Sequence, residues 1–134
     1  MATDAMTTLE SRFGPKETLD RLEADVKAKG LTVFARIDHA AGAAAVGMTL
    51  LPTAVLIFGN ARGGTPLMQA NQLIGIDLPL KVLVWQDTSG KTWLSYYEPS
   101  VLAQRQGLAA EAATPVGNLS AALHGLTAKA AGAG

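Results

Sequence analysis

The chain has 134 residues, of which 49% are hydrophobic and 16% charged, and its eleven basic residues are balanced by eleven acidic ones. That length and balance fit one domain with a buried core and exclude disorder, while the missing basic excess argues against nucleic acid as a partner. The chain has no cysteine, which rules out disulfides, thiolate zinc sites and iron–sulfur clusters.

The polar start, Met1 to Arg12, has no apolar run behind a basic segment and does not read as a secretory signal, so a cytoplasmic location is expected. Met6 to Phe13 alternates as a short strand, and Gly14-Pro15 breaks it. A helix follows, with Leu19, Leu22 and Val26 as its apolar stripe and Gly30 as its stop. Leu31 to Asp38 reads as a second strand closed by His39, and Ala40 to Met48 as a short Ala-rich helix. Thr53 to Phe58 is a continuous β-favouring apolar run. The span 40–59 carries no charge over twenty residues, a length that could cross a bilayer. Its alanines, glycines and Pro52 argue against a span, so no membrane partner is expected.

Asn60 to Thr65 reads as a turn-forming loop and Pro66 to Ile74 as one or two helical turns. Leu78 to Gln86 and Lys91 to Tyr97 are two strands joined by a hairpin at Asp87–Gly90. Ser100 caps a short helix ending at Gly107, and Val116, Leu119, Leu123 and Leu126 mark a final helix. Residues 7–127 are expected to form the domain, with 128–134 a disordered tail. This order predicts an α+β domain of two layers, a mostly antiparallel sheet of about five strands with helices packed on one face.

Five blocks also carry a resemblance: Ile37-Asp38-His39, Val46 to Pro52, Phe58 to Met68, Ile76 to Trp85, and Ser95-Tyr96-Tyr97-Glu98-Pro99. In this order they resemble the Domain of Unknown Function 302 family from about Thr8 to Leu126. The resemblance implies a TATA-binding-protein-like fold, β-α-β(4)-α, and no established activity. The chain departs from the family pattern at Ala61, where proline is usual, at Tyr97 and Glu98, where Asn and Asp are usual, and at Gln106, where histidine is common.

Asp38-His39 is the most suggestive pair for chemistry, because a carboxylate can orient an imidazole for proton transfer. The plainer account is a strand-end histidine that caps a turn, since successive strand residues point to opposite faces. In the Gly59–Thr65 segment, backbone amides could hold an anion with Arg62 as a fork, and Asn60, Gly63, Gly64 and Thr65 would line it. Here the plainer account is a turn with glycines at positive φ. No lysine follows as in a phosphate-binding loop. Tyr96 would join the site if its strand lies adjacent. His39 and His124 are the only histidines, with His124 expected on the surface of the last helix, so no metal site is expected. Met48 and Met68 read as packing, as do Trp85 and Trp93 beside the hairpin.

Two readings follow. The first is a small-ligand or anion-binding domain, with catalysis by His39 and Asp38 left undecided and no cofactor or reaction named. It requires His39 within about 10 Å of the Asn60 backbone, the reach of one shared ligand. The alternative is a non-catalytic homodimeric module with no ligand site, motivated by more apolar residues than so small a chain can bury.

Overall fold

The computed structural model describes residues 6–108 and 110–133. Five strands form one sheet: β1 (Met6–Ser11), β2 (Thr32–Asp38), β3 (Thr53–Gly59), β4 (Leu80–Gln86) and β5 (Thr92–Tyr97). They lie in the order β1-β5-β4-β3-β2, and every neighbouring pair is antiparallel. The helices are α1 (Pro15–Ala28), α2 (His39–Ala45), α3 (Ala61–Ala70), α4 (Pro99–Arg105) and α5 (Ala113–Ala130), with 3₁₀ turns at Gln72–Asp77 and Ala110–Ala112. This is the expected β-α-β(4)-α order, with three short helices inserted at the loops.

Period-two alternation sorts the strands into two faces. On the covered face, Leu56, Phe58, Val82, Val84 and Leu94 are fully buried against Leu19, Leu22 and Val26 of α1 and Leu123 and Leu126 of α5. Proline at the first position of α1 costs nothing there, because that amide has no intrahelical partner. A smaller cluster of Leu67, Ile74, Leu102 and Ala112 packs α3 and the two 3₁₀ turns against α4.

One local expectation differs from the structure. The segment expected as a loop at 60–65 is the first half of α3. Asn60 caps it by accepting from the Gly63 amide at 2.7 Å, and Pro66 lies inside the helix instead of starting it. Side-chain capping and burial of Leu67 outweigh the poor helix propensity of Gly63 and Gly64. The uncharged stretch 40–59 is divided among α2, an extended connection and β3, and no helix among the described residues is long and apolar enough to cross a membrane.

The expected disordered tail is also corrected, for 128–133 are part of the fold. Ala130 and Ala131 are each 1% exposed, and the Ala131 carbonyl accepts from the Arg12 amide at 3.0 Å. Arg21 donates to the Lys129 carbonyl at 3.0 Å, and Lys129 Nζ reaches Asp25 at 2.9 Å. Deleting residues 129–134 removes two buried methyl groups and several hydrogen bonds, so urea unfolding is expected to show a loss of about 2–3 kcal/mol. An unchanged midpoint would overturn the assignment of this segment to the fold.

Candidate functional site

Antiparallel pairing separates the two segments proposed to share a site. In the β2–β3 ladder Asp38 faces Ala54, at the start of β3, whereas Gly59, at its end, faces Thr32. At about 3.3 Å per residue, His39 and Asn60 lie about 20 Å apart at opposite ends of this ladder. The shared Asp38-His39 and Gly59–Thr65 pocket is therefore ruled out.

Each segment has an ordinary local role. Asp38 caps α2, accepting from the Ala41 amide at 2.9 Å, and His39 is the exposed first residue of that helix. Asn60 Oδ1 occupies the Gly63 amide, and the Gly64 amide donates to the Asn60 carbonyl at 3.2 Å, so two donors of the anion-holding nest are already used. Gly63 and Gly64 adopt helical backbone instead of positive φ. Arg62 and Thr65 point to solvent.

Asn60 and Gly64 nonetheless line a cavity of about 240 Å³. Its walls are Phe34, Met68, Leu78, Pro79, Leu80 and Leu119, from β2, α3, the β4 approach and α5.

Tyr96 is not part of this cavity's lining. It is buried on the covered face of β5, two strands from β3, where burial pushes its hydroxyl up despite a hydrogen bond with Thr127. Beside it lies a polar cluster that the sequence did not reveal. His124 Nε2 sits 3.0 Å from both oxygens of Glu98, and the hydroxyls of Thr7 and Ser120 donate to the same carboxylate. The Tyr96 and His124 rings lie 6.1 Å apart. Ser120, His124 and Thr127 are spaced by four and three, so they share one side of α5. That spacing was visible, but its partner Glu98 lies 26 residues from His124 and nothing local announces it.

This arrangement fastens α5 to the end of β5. Partial burial pushes the Glu98 carboxyl up, but Thr7 and His124 outweigh it and hold it below its ordinary value of 4.5. A depressed carboxyl contributes stability that is fully present above 4.5 and is lost as pH falls through the folded value.

The outer sheet face is not covered by α1 or α5 and is largely apolar, with the exposed Glu10 beside Trp93 and Lys81 beside Ile57 as its charged side chains. One row runs Ile37, Val55, Leu83, Ser95 and Thr8 across all five strands, and Trp85 beside Trp93 forms part of the next. The indoles are stacked at 6.3 Å, bearing out the cross-strand packing expected of them. The polar atoms here satisfy one another. Trp85 donates to Ser95 at 2.9 Å, Ser95 and Thr8 hydroxyls bond at 2.9 Å, and Trp93 donates to Asp87 at 2.8 Å. The Asp87 carboxyl is held at about 2 by Trp93 and Ser89. At the same end of the sheet, the connection from α2 to β3 exposes Val46 (72%), Met48 (67%), Leu50 (46%) and Leu51 (44%).

The family model described as "Domain of unknown function DUF302" matches residues 7–126. A protein of Brucella suis named fluoride-specific ion channel FluC 1 is 48% identical over 103 residues, covering 77% of this chain and 41% of that protein. Its namesake in Brucella abortus shows the same identity and is covered over 38%. The chain thus spans about two fifths of the length of these curated relatives. A crystal structure of an uncharacterised conserved DUF302 protein from Bacillus stearothermophilus superposes with a TM-score of 0.77 at 21% identity, covering 98% of each chain. This likeness establishes the α+β fold.

Replacing Glu98 with Gln is expected to cost about 1–2 kcal/mol at pH 7, the scale of a hydrogen bond to a charged group. The gap from the parent should narrow below pH 4.5 as the native carboxylate protonates. Equal gaps at pH 7 and pH 3 in urea titrations would show that the carboxylate charge contributes nothing.

Proposed function

The chain belongs to the DUF302 family of unknown function, and from that footing we propose that it works as an interaction module, pairing with a second copy through its outer sheet face. The observation that carries this reading is a largely apolar face whose indole N–H groups and central hydroxyls are already hydrogen-bonded within it. Drying the centre of such a face leaves those donors paired. A surface meant for water would direct those indole N–H groups outward.

The sheet face by itself is smaller than a standard interface. Five strands about 4.8 Å apart and about six residues long offer roughly 24 by 20 Å, or about 480 Å². A standard interface buries about 800 Å² per partner. The exposed connection with Val46, Met48, Leu50 and Leu51, at one end of the sheet, would have to supply the remaining apolar area. Two such faces packed about 10 Å apart, related by a two-fold axis, would resemble a sandwich core.

The Brucella relatives suit an interaction role, since the matched stretch is there one part of a longer protein. Fluoride conduction is left out of the proposal for this chain, whose described helices are too short or too polar to cross a bilayer. The setting proposed is the cytoplasm, to be checked by fractionation.

Light scattering at tens of micromolar is expected to give twice the monomer mass. Ile37→Lys and Met48→Asp, each at an exposed side chain, should raise the dissociation constant by at least a hundredfold while leaving the circular dichroism spectrum unchanged. A parent protein that is monomeric at that concentration rules the homodimer out.

A further inference from the structure

We propose that the cavity between α3, β4 and α5 is a binding site for a small, neutral, apolar molecule about the size of an indole ring. It lies off the outer sheet face and does not depend on the pairing proposed above.

The volume fits such a ligand. A dry apolar cavity of about 150 Å³ suffices to bind benzene, and water occupies about 30 Å³ in the liquid. At about 240 Å³ this cavity has room for a bicyclic ring or about eight waters. The hollow is half open to solvent, and its apolar walls give water few hydrogen-bond partners, so an apolar ligand displaces it at little cost. The polar side chain at the wall is Asn60, and its Oδ1 already accepts from Gly63 at 2.7 Å.

Local backbone features keep the space open. Gly64 and Gly75 both line the cavity and both approach the Met68 side chain. A Cβ on Gly64 would stand 3.5 Å from Leu78 and 3.7 Å from Met68, so a methyl group fits there and a longer side chain would occupy the cavity. Gly75 is tighter, with its virtual Cβ 3.3 Å from the Met68 sulfur. The β2–β3 register shifts between Val33 and Ala35, which makes Phe34 the bulged residue. Bulges re-aim side chains, and this one brings Phe34, 57% exposed, to the rim of the cavity. A large aromatic held half in water at the mouth of an apolar hollow has a ready role as a movable cover.

The lining does not favour an anion as the main ligand. Arg62 does not line the cavity, and two amides of the α3 amino terminus are engaged by Asn60.

The test is titration of the ¹⁵N-labelled full chain with indole, with inorganic phosphate as a separate arm. Saturable shifts are expected with indole, centred on the amides of Gly64, Met68, Gly75 and Leu80, and none of comparable size with phosphate. Gly64→Leu fills the hollow from within a helix and should weaken indole binding at least tenfold without lowering the melting temperature. Gly64→Ala should keep the fold and weaken binding less. Phe34→Ser, at an exposed position, should alter affinity at least threefold and keeps the test decisive if Gly64→Leu misfolds. Absence of saturable binding up to millimolar indole, phosphate shifting the same amides instead, or affinity indifferent to the Gly64 and Phe34 variants would each overturn the proposal.

Discussion

The structure depends on a sheet that is largely apolar on both faces while its two long helices cover only one. Leu56, Phe58, Val82, Val84 and Leu94 are sealed under α1 and α5, and that burial supplies the cohesion of the domain. The opposite face carries Ile37, Val55, Leu83, Trp85 and Trp93, side chains of the kind an isolated antiparallel sheet usually replaces with polar ones. The proposed pairing rests on that asymmetry.

Long-range fastenings hold the covered layer closed. The C-terminal end of α5 is tied to α1 by Arg21 and Asp25, and its middle to the end of β5 by the His124–Glu98 pair. Both sets join residues far apart in sequence, and in each a largely exposed base meets a carboxylate that is itself mostly buried. These fastenings explain why a small-residue tail that looked unable to pack is part of the core.

The histidine at the end of β2 and the glycine segment after β3 each kept a local role and lost a shared one. Consecutive strands in an antiparallel sheet run opposite ways, so the end of β2 lies beside the start of β3, and their two ends cannot meet. That conclusion was available from the sequence once an antiparallel sheet was expected. The capping of α3 by Asn60 was also readable, since Asn before a helix is a strong start signal, but the two glycines and Pro66 obscured it. Glu98 meeting His124, and Phe34 turned to the rim of a cavity by a bulge, were not readable. Both depend on contacts between elements that no local pattern encodes.

Alternation, helical spacing and turn residues, acting over a few neighbours, were enough to read the strands, the two long helices and the α+β class, and the ordered blocks from Ile37 to Pro99 were enough to read the family. The absence of cysteine and the balanced charge likewise fixed which chemistries were excluded. Tertiary structure alone decided which sheet face is left bare, which strand ends meet, where the cavity opens and that the last residues are buried. Those outcomes are set by pairing across tens of residues, where the free energy of packing selects among arrangements that leave the local pattern unchanged.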